Sequence, residues 1–237
     1  EFEGIQTINI IYNSVPDLIF EKKINGFTTN KKGDYYFKKI NLKFDSNVFA
    51  NNTFIWIEEN KNINIKNYEI IVNPFLINPN TIPYNNPLSI TYNYSNCKNC
   101  SFYKYNDDDK WKIIVSNFDN NSITTKINTS GTYALLKEIK KPVISNLSPS
   151  LNSKYNLDDI QQIIFNVEDK LSGINPYNIN ITLNNNKLFY DYIPYRNLVS
   201  ANINQELEPG LQNLKIEIFD NVGNKKSMNG KFIILDK

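Results

Sequence analysis

The chain has 237 residues, of which 41% are hydrophobic and 13% aromatic, and its 26 basic and 24 acidic residues leave a net charge of +2. This composition is too apolar for a disordered chain, and the length suits one large domain or two ordinary ones. The lysines are scattered, and Arg196 is the single arginine, so the basic stripe expected of a nucleic-acid-binding protein is missing.

The chain contains no run of about 18 apolar residues, so we expect no transmembrane segment. Its start, EFEGIQTINI, lacks an initiator Met and the basic and apolar regions of a signal peptide. We therefore expect a mature product or an excised fragment. The abundance of Asn, Ile and Lys is typical of an AT-rich genome.

Short runs of Ile, Val, Phe, Tyr and Thr recur along the chain and are separated by Asn, Gly, Pro and Asp, whereas helical periodicity is nearly absent. Runs at a spacing of roughly 8–12 residues are typical of β-sandwiches and barrels. We therefore predict an all-β protein with at most one helical turn, near residues 157–161. The predicted strands are 5–12, 35–44, 53–57, 68–72, 88–94, 101–105, 111–115, 132–136, 160–167, 178–183, 187–190, 198–203, 211–219 and 231–235.

Residues 137–150, KEIKKPVISNLSPS, combine charge with two prolines and indicate a domain boundary. Proline cannot donate to a sheet ladder, which suits a strand edge or a hinge. We divide the chain into two β-sandwich domains, residues 1–140 and 141–237. The second has the size and strand number of an immunoglobulin-like sandwich.

A tight turn is predicted after the strand at residues 211–219. The side chain of Asp220 can bond the backbone two residues on, Gly223 can adopt a positive φ at no steric cost, and Asn224 ends the turn. The asparagines at 184–186 predict a second hairpin turn.

The chain has no histidine, which argues against Ser-His-Asp and Cys-His catalysis and against His-bearing zinc sites. Cys97 and Cys100 lack a second pair to complete a zinc site, and they lie between strands rather than at a helix N-terminus. A loop disulfide is the favoured interpretation, ahead of free thiols and of a redox or metal role. A disulfide would place the protein in an oxidising compartment.

Acidic residues occur in two further places. Asp107, Asp108 and Asp109 offer oxygens for Ca²⁺ but lack the twelve-residue loop and glycine of an EF-hand, so a solvated hairpin turn is favoured. Residues 168 and 169, Glu-Asp, could meet Asp220 in space, although turn capping is the favoured role. We predict no catalytic residue, no metal site and no cofactor.

The segment FYDYIPYR, residues 189–196, concentrates aromatic rings beside the only arginine. Exposed rings at Tyr190, Tyr192, Tyr195 and Trp111 could stack against a glycan. Packing of these rings within the sandwich is the favoured alternative.

Several segments, in this order, resemble one family. Residues 102–138 have a Tyr-rich strand, an acidic turn, a Trp strand and GTYALLKE; FNVEDKLSGI and LEPGLQNLKIEIFDNVGN follow. This order resembles the C-terminal immunoglobulin-like region of bacterial M23-family peptidoglycan endopeptidases. Asp169, Ser172 and Gly173 match its D-x-x-SGI turn, and Asp220, Gly223 and Asn224 match its D-x-x-GN turn. Asn213 stands where the family usually has histidine.

The resemblance implies a non-catalytic accessory region of a secreted, periplasmic or cell-surface protein, because the family's H-x-x-x-D and H-x-H zinc ligands are absent. The implied partners are other domains of the same polypeptide, envelope proteins, and peptidoglycan or another glycan. The alternative is a structural or adhesive surface protein built of immunoglobulin-like modules, with or without glycan binding.

Overall fold

The structure is a computed structural model that describes residues 6–15, 18–29, 32–49, 51–60, 63, 65–80, 83–93, 97–106 and 108–236, with the backbone alone at 6–15 and 18–25. These residues fold almost entirely as β-strands packed in sandwiches, which confirms the predicted all-β class. The helical stretches described are two single 3₁₀ turns, Leu157–Asp159 and Pro194–Arg196. Within the described residues, no helix has the length and apolar character needed to cross a membrane.

The chain divides into two compact units, Glu1–Lys137 and Glu138–Lys237, whereas the sequence placed the boundary near residue 140. The described residues of the first unit form twelve strands, the last of which ends at the first residue of the second unit. These strands are β1 (Gln6–Val15), β2 (Leu18–Thr28), β3 (Gly33–Phe37), β4 (Ile40–Phe44), β5 (Phe54–Glu59), β6 (Tyr68–Asn78), β7 (Pro83–Asn93), β8 (Cys100–Tyr105), β9 (Trp111–Ile113), β10 (Ser116–Asp119), β11 (Ser122–Thr129) and β12 (Gly131–Glu138).

In the first unit, a seven-stranded sheet in the order β1-β2-β5-β6-β12-β8-β9 packs on a five-stranded sheet in the order β10-β11-β7-β4-β3. Successive side chains of a strand point to opposite faces, so each sheet contributes alternate residues to the core. Strand β12 is buried on both faces. Its Tyr133 and Leu135 lie in the core between the sheets, and its Ala134 and Leu136 lie in a smaller cluster with Trp111.

The second unit is a smaller sandwich of nine strands. A four-stranded sheet, β13-β15-β19-β18, packs on a five-stranded sheet, β14-β21-β20-β16-β17, around a core that includes Phe165, Ile216 and Phe232. The strands are β13 (Val143–Ser148), β14 (Lys154–Tyr155), β15 (Gln162–Glu168), β16 (Ile174–Leu183), β17 (Asn186–Leu188), β18 (Tyr190–Ile193), β19 (Leu198–Asn202), β20 (Gly210–Asp220) and β21 (Lys225–Ile234).

The pairing of β16 with β20 brings two turns side by side. The ladder is antiparallel and regular from the Leu183–Leu214 pair to the Ile179–Ile218 pair; it is then interrupted and resumes where Ile174 faces Asp220. The loop from β15 to β16 therefore ends beside the β20–β21 turn. This end of the second unit carries the candidate site.

The core of the second unit can be tested with a matched pair of phenylalanines. Phe165 is fully buried and Phe189 is 81% exposed. We expect Phe165→Ala to lower the free energy of unfolding of this unit by about 3–5 kcal/mol, because it removes a buried ring and leaves a cavity. Phe189→Ala should change it by less than about 0.5 kcal/mol.

The measurement is denaturant-dependent hydrogen exchange of peptides from β16 and β20 in the full chain. Both tryptophans, Trp56 and Trp111, belong to the first unit, so their fluorescence reports that unit separately. Equal destabilisation by the two substitutions would contradict the assignment of Phe165 to the core.

Candidate functional site

Three carboxyl groups meet at one end of the second unit, and we call them the acidic cluster: Glu138, Asp169 and Asp220. Glu138 is the last residue of β12, Asp169 directly follows β15, and Asp220 is the last residue of β20. One carboxylate oxygen from each lies within 4.8 Å of the other two. Glu138 and Asp220 are buried, and Asp169 is half-buried.

The carboxylate of Asp220 organises the β20–β21 turn. Its Oδ1 accepts hydrogen bonds from the backbone N–H groups of Val222 (3.0 Å) and Asn224 (2.7 Å), and its Oδ2 accepts one from the Asn224 side chain (2.7 Å). Gly223 has a φ of +92°, a conformation that L side chains rarely adopt. The turn follows the pattern predicted from its sequence.

Asp169 organises the neighbouring turn in the same way. Its Oδ1 accepts hydrogen bonds from the backbone N–H groups of Leu171 (2.9 Å) and Gly173 (3.0 Å), and Gly173 has a φ of +81°. The sequence left open whether this carboxylate caps a turn or joins a cluster with Asp220. In the structure, the carboxylate of Asp169 caps its turn and also belongs to the acidic cluster.

The two turns are bonded to each other and to Glu138. Asn221 donates from its side chain to the carbonyl of Ser172 (2.8 Å) and from its backbone N–H to the carbonyl of Gly173 (3.0 Å). The backbone N–H of Ser172 donates to Oε1 of Glu138 at 3.4 Å. The acidic cluster is therefore held by three segments that are distant in sequence.

Burial controls the electrostatics of the acidic cluster. It raises the pKa of Glu138 to about 7, the charges of Asp169 and Asp220 act in the same direction, and the contacts with Ser172 oppose the rise. Burial also raises the pKa of Asp220, against the hydrogen bonds that this carboxylate accepts. Carboxyl groups this close can share protons or hold a hard cation.

One buried hydroxyl beside the acidic cluster lacks a hydrogen bond. Ser172 is only 4% exposed, and its Oγ has no protein atom in hydrogen-bonding geometry, although its side chain is near enough to Glu138 to lower the pKa of that carboxyl. A buried polar group without a partner is uncommon and costs about 1–3 kcal/mol. The Oγ of Ser172 therefore keeps capacity for a hydrogen bond or for a metal ligand bond.

The cysteines lie in the first unit. Cys97 and Cys100 form a disulfide that closes a short loop before β8. Of the predicted acidic turn, Asp107 lies outside the described residues, and Asp108 and Asp109 are exposed. Asp109 accepts a hydrogen bond from the hydroxyl of Tyr105.

The four aromatic residues considered for stacking do not share one environment. Trp111 is buried in the small cluster on β12, which removes it from a candidate stacking surface. Tyr190 and Tyr192 are partly buried against the core of the second unit, where the rings pack as the alternative interpretation expected. Tyr195 is 82% exposed and packs against the guanidinium of Arg196.

Comparison of the chain with models of known protein families and with curated proteins gives no match.

Sequence reasoning missed Glu138 and Asn221 as parts of the site. A usable signal was present, because inward-facing residues alternate along a strand. Ile163, Phe165 and Val167 are buried at every second position of β15, and Asp169 occupies the next position in that series. On β20, Asp220 occupies the next inward position after Leu214, Ile216 and Ile218. On β12, Glu138 occupies the next such position after Ala134 and Leu136.

The acidic cluster predicts a pH-dependent stability. Glu138 has a pKa of about 7 in the folded chain against an ordinary value of 4.5, so the folded state binds the extra proton between these values. The contribution of Glu138 to the stability of the second unit should therefore be complete below about pH 4.5 and fall by about 3 kcal/mol as the pH rises from there through 7. The raised pKa of Asp220 acts with the same sign.

Glu138→Gln should flatten this dependence, because the amide does not titrate. Glu168→Gln is the matched control, since Glu168 is exposed and pairs with Lys170. The measurement is hydrogen exchange of second-unit peptides between about pH 5 and 8, corrected for intrinsic exchange and made with a chelator present. A Glu138→Gln slope parallel to that of the unaltered chain would exclude Glu138 as the titrating group.

Proposed function

We propose that the chain is a non-catalytic accessory region of a secreted or envelope-associated M23-type cell-wall peptidase, in which its units position the catalytic domain or hold it at the wall. The observation that carries this proposal is the meeting of Glu138, Asp169 and Asp220 in one cluster. Each of these residues lies in a different one of the three sequence segments that resemble the peptidase family. Motifs that jointly build one structure are expected of a real module rather than of three chance matches.

We further propose that the second unit is immunoglobulin-like. Immunoglobulin domains place strands A, B, E and D in one sheet and C, F and G in the other. If β13 is A, β15 is B and β16 is C, the four-stranded sheet reads A-B-E-D and the larger sheet contains G-F-C. β17 then adds to the edge beside C, as an extra strand does in variable-type domains.

The Cys97–Cys100 disulfide supports an extracytoplasmic location, since disulfides persist mainly in oxidising compartments. A secreted, periplasmic or cell-surface protein can reach the proposed partners, which are other domains of the same polypeptide, envelope proteins and peptidoglycan. The near-neutral net charge and scattered lysines support a partner other than nucleic acid.

The peptidase proposal predicts the composition of the native protein. An antiserum raised against this chain should recover a protein larger than 27.6 kDa from the source cells or their medium. Its peptide map should contain H-x-x-x-D and H-x-H segments upstream of residue 1. A native protein that starts near Glu1, or extends only into further β-modules, would contradict the peptidase proposal and favour the surface-protein alternative.

The alternative is a structural or adhesive surface protein that binds a glycan. The observation that favours it is the exposure of two aromatic rings within residues 189–196: Phe189 and Tyr195 are each more than 80% exposed. Exposed aromatic rings offer apolar faces with polar edges, which suit contact with a sugar.

For this alternative, we expect the full chain to sediment with insoluble peptidoglycan and Tyr195→Ala to reduce the bound fraction severalfold. Tyr177→Ala is the matched control, because it removes an equally exposed ring outside residues 189–196. An unchanged bound fraction for Tyr195→Ala, with the fold retained by circular dichroism, would contradict stacking at this residue.

A further inference from the structure

We propose that the acidic cluster, together with the hydroxyl of Ser172, binds a calcium ion. Calcium binding here does not require that the chain belong to a wall peptidase. The ligands would come from the last residue of β12, from the loop after β15 and from the end of β20, all within the second unit.

The spacing of the carboxylate oxygens suits one calcium ion. Calcium lies about 2.3–2.6 Å from its oxygen ligands, so two ligands on opposite sides of the ion are about 5 Å apart. One oxygen each from Glu138, Asp169 and Asp220 lies within 4.8 Å of the others. These separations are compatible with one ion shared by all three carboxylates, and calcium tolerates irregular geometry better than magnesium does.

The carboxylates keep acceptor capacity for an ion. An ionised carboxylate has about four lone-pair positions. Asp169 receives both of its backbone hydrogen bonds on Oδ1, and Asp220 receives three in total. These bonds fix the direction of both carboxylates, in the way that outer hydrogen bonds orient metal ligands. Asp169 is only half-buried, which gives the ion a route from solvent.

The buried hydroxyl of Ser172 is an independent indication of a missing ligand. Its Oγ has no hydrogen-bond partner although the residue is 4% exposed. Ser172 lies against Glu138. Its backbone N–H donates a hydrogen bond to that carboxylate, and its side chain lowers the pKa of Glu138. A hydroxyl oxygen has two lone pairs, so an ion between the carboxylates would supply the partner that this atom lacks.

Full ionisation of the acidic cluster would place three like charges close together. Three ionised carboxylates carry a charge of −3, and in the described part of the chain neither Asp169 nor Asp220 forms an ion pair with a lysine. Like charges this close repel each other in a buried site. A divalent cation would reduce the local charge to −1 and connect both turns to Glu138, where the chain enters the second unit.

The test is calorimetric titration of the chelator-treated full chain with Ca²⁺. We expect one ion to bind with a dissociation constant of about 0.1–1 mM, the range of extracellular calcium modules. Calcium should slow hydrogen exchange in peptides spanning residues 168–175 and 219–225. Exchange in β4 and β7 of the first unit is the internal control.

Glu138→Gln should weaken calcium binding at least about tenfold, because losing a direct ligand should cost no less than losing an outer partner. This variant should fold, since it removes one charge from a buried group of like charges. Glu168→Gln changes the same charge at an exposed neighbour and should leave the affinity unchanged. Equal weakening by both variants would overturn the site in favour of diffuse charge attraction.

Ser172→Ala separates the hydroxyl from the carboxylates. It should weaken calcium binding severalfold without destabilising the calcium-free chain, because it removes a hydroxyl that has no partner there. Unchanged affinity would exclude Ser172 as a ligand and overturn the proposed ligand set. Absence of both heat and protection up to about 10 mM Ca²⁺, well above the expected range, would overturn calcium binding altogether.

Discussion

The buried carboxylate of Asp220 is the constraint on which this end of the second unit depends. It closes the β20–β21 turn with three hydrogen bonds and lies opposite the first residue of β16. An irregularity separates that pairing from the regular ladder, so the start of β16 is held largely by this turn and by Asn221. Burial still raises the pKa of Asp220, which means that the hydrogen bonds do not fully replace the water it lost.

The acidic cluster follows from the alternation of side chains in its strands. Each carboxylate occupies the inward position that the next apolar residue would take, one step beyond the last buried one. The sequence therefore predicted the D-x-x-SGI and D-x-x-GN turns correctly as local structures. It could not predict that they meet, because their contact depends on the pairing of β16 with β20, which no local pattern encodes. Glu138 was missed for the same reason.

The strand pattern was predictable where turn residues marked its ends and was less so elsewhere. Residues 35–44 were predicted as one strand but form the β3–β4 hairpin, because Lys38 adopts a φ of +54° without glycine or asparagine to indicate a turn. The strand predicted at 68–72 continues to Asn78 through Pro74. Pro74 precedes Phe75, where the ladder with β5 begins, so that ladder does not use the N–H that proline lacks.

The three carboxylates are brought together only in the folded state, so any ligand that bridges them acts on the folding equilibrium. A ligand that binds only the folded state at ten times its dissociation constant stabilises that state by about 1.4 kcal/mol. This gain offsets a part of the cost of about 3 kcal/mol that the raised pKa of Glu138 implies. A cluster that is unfavourable when empty and ionised is thus less unfavourable when an ion is bound. Binding of the proposed calcium ion would thereby couple the order of both turns to the calcium concentration.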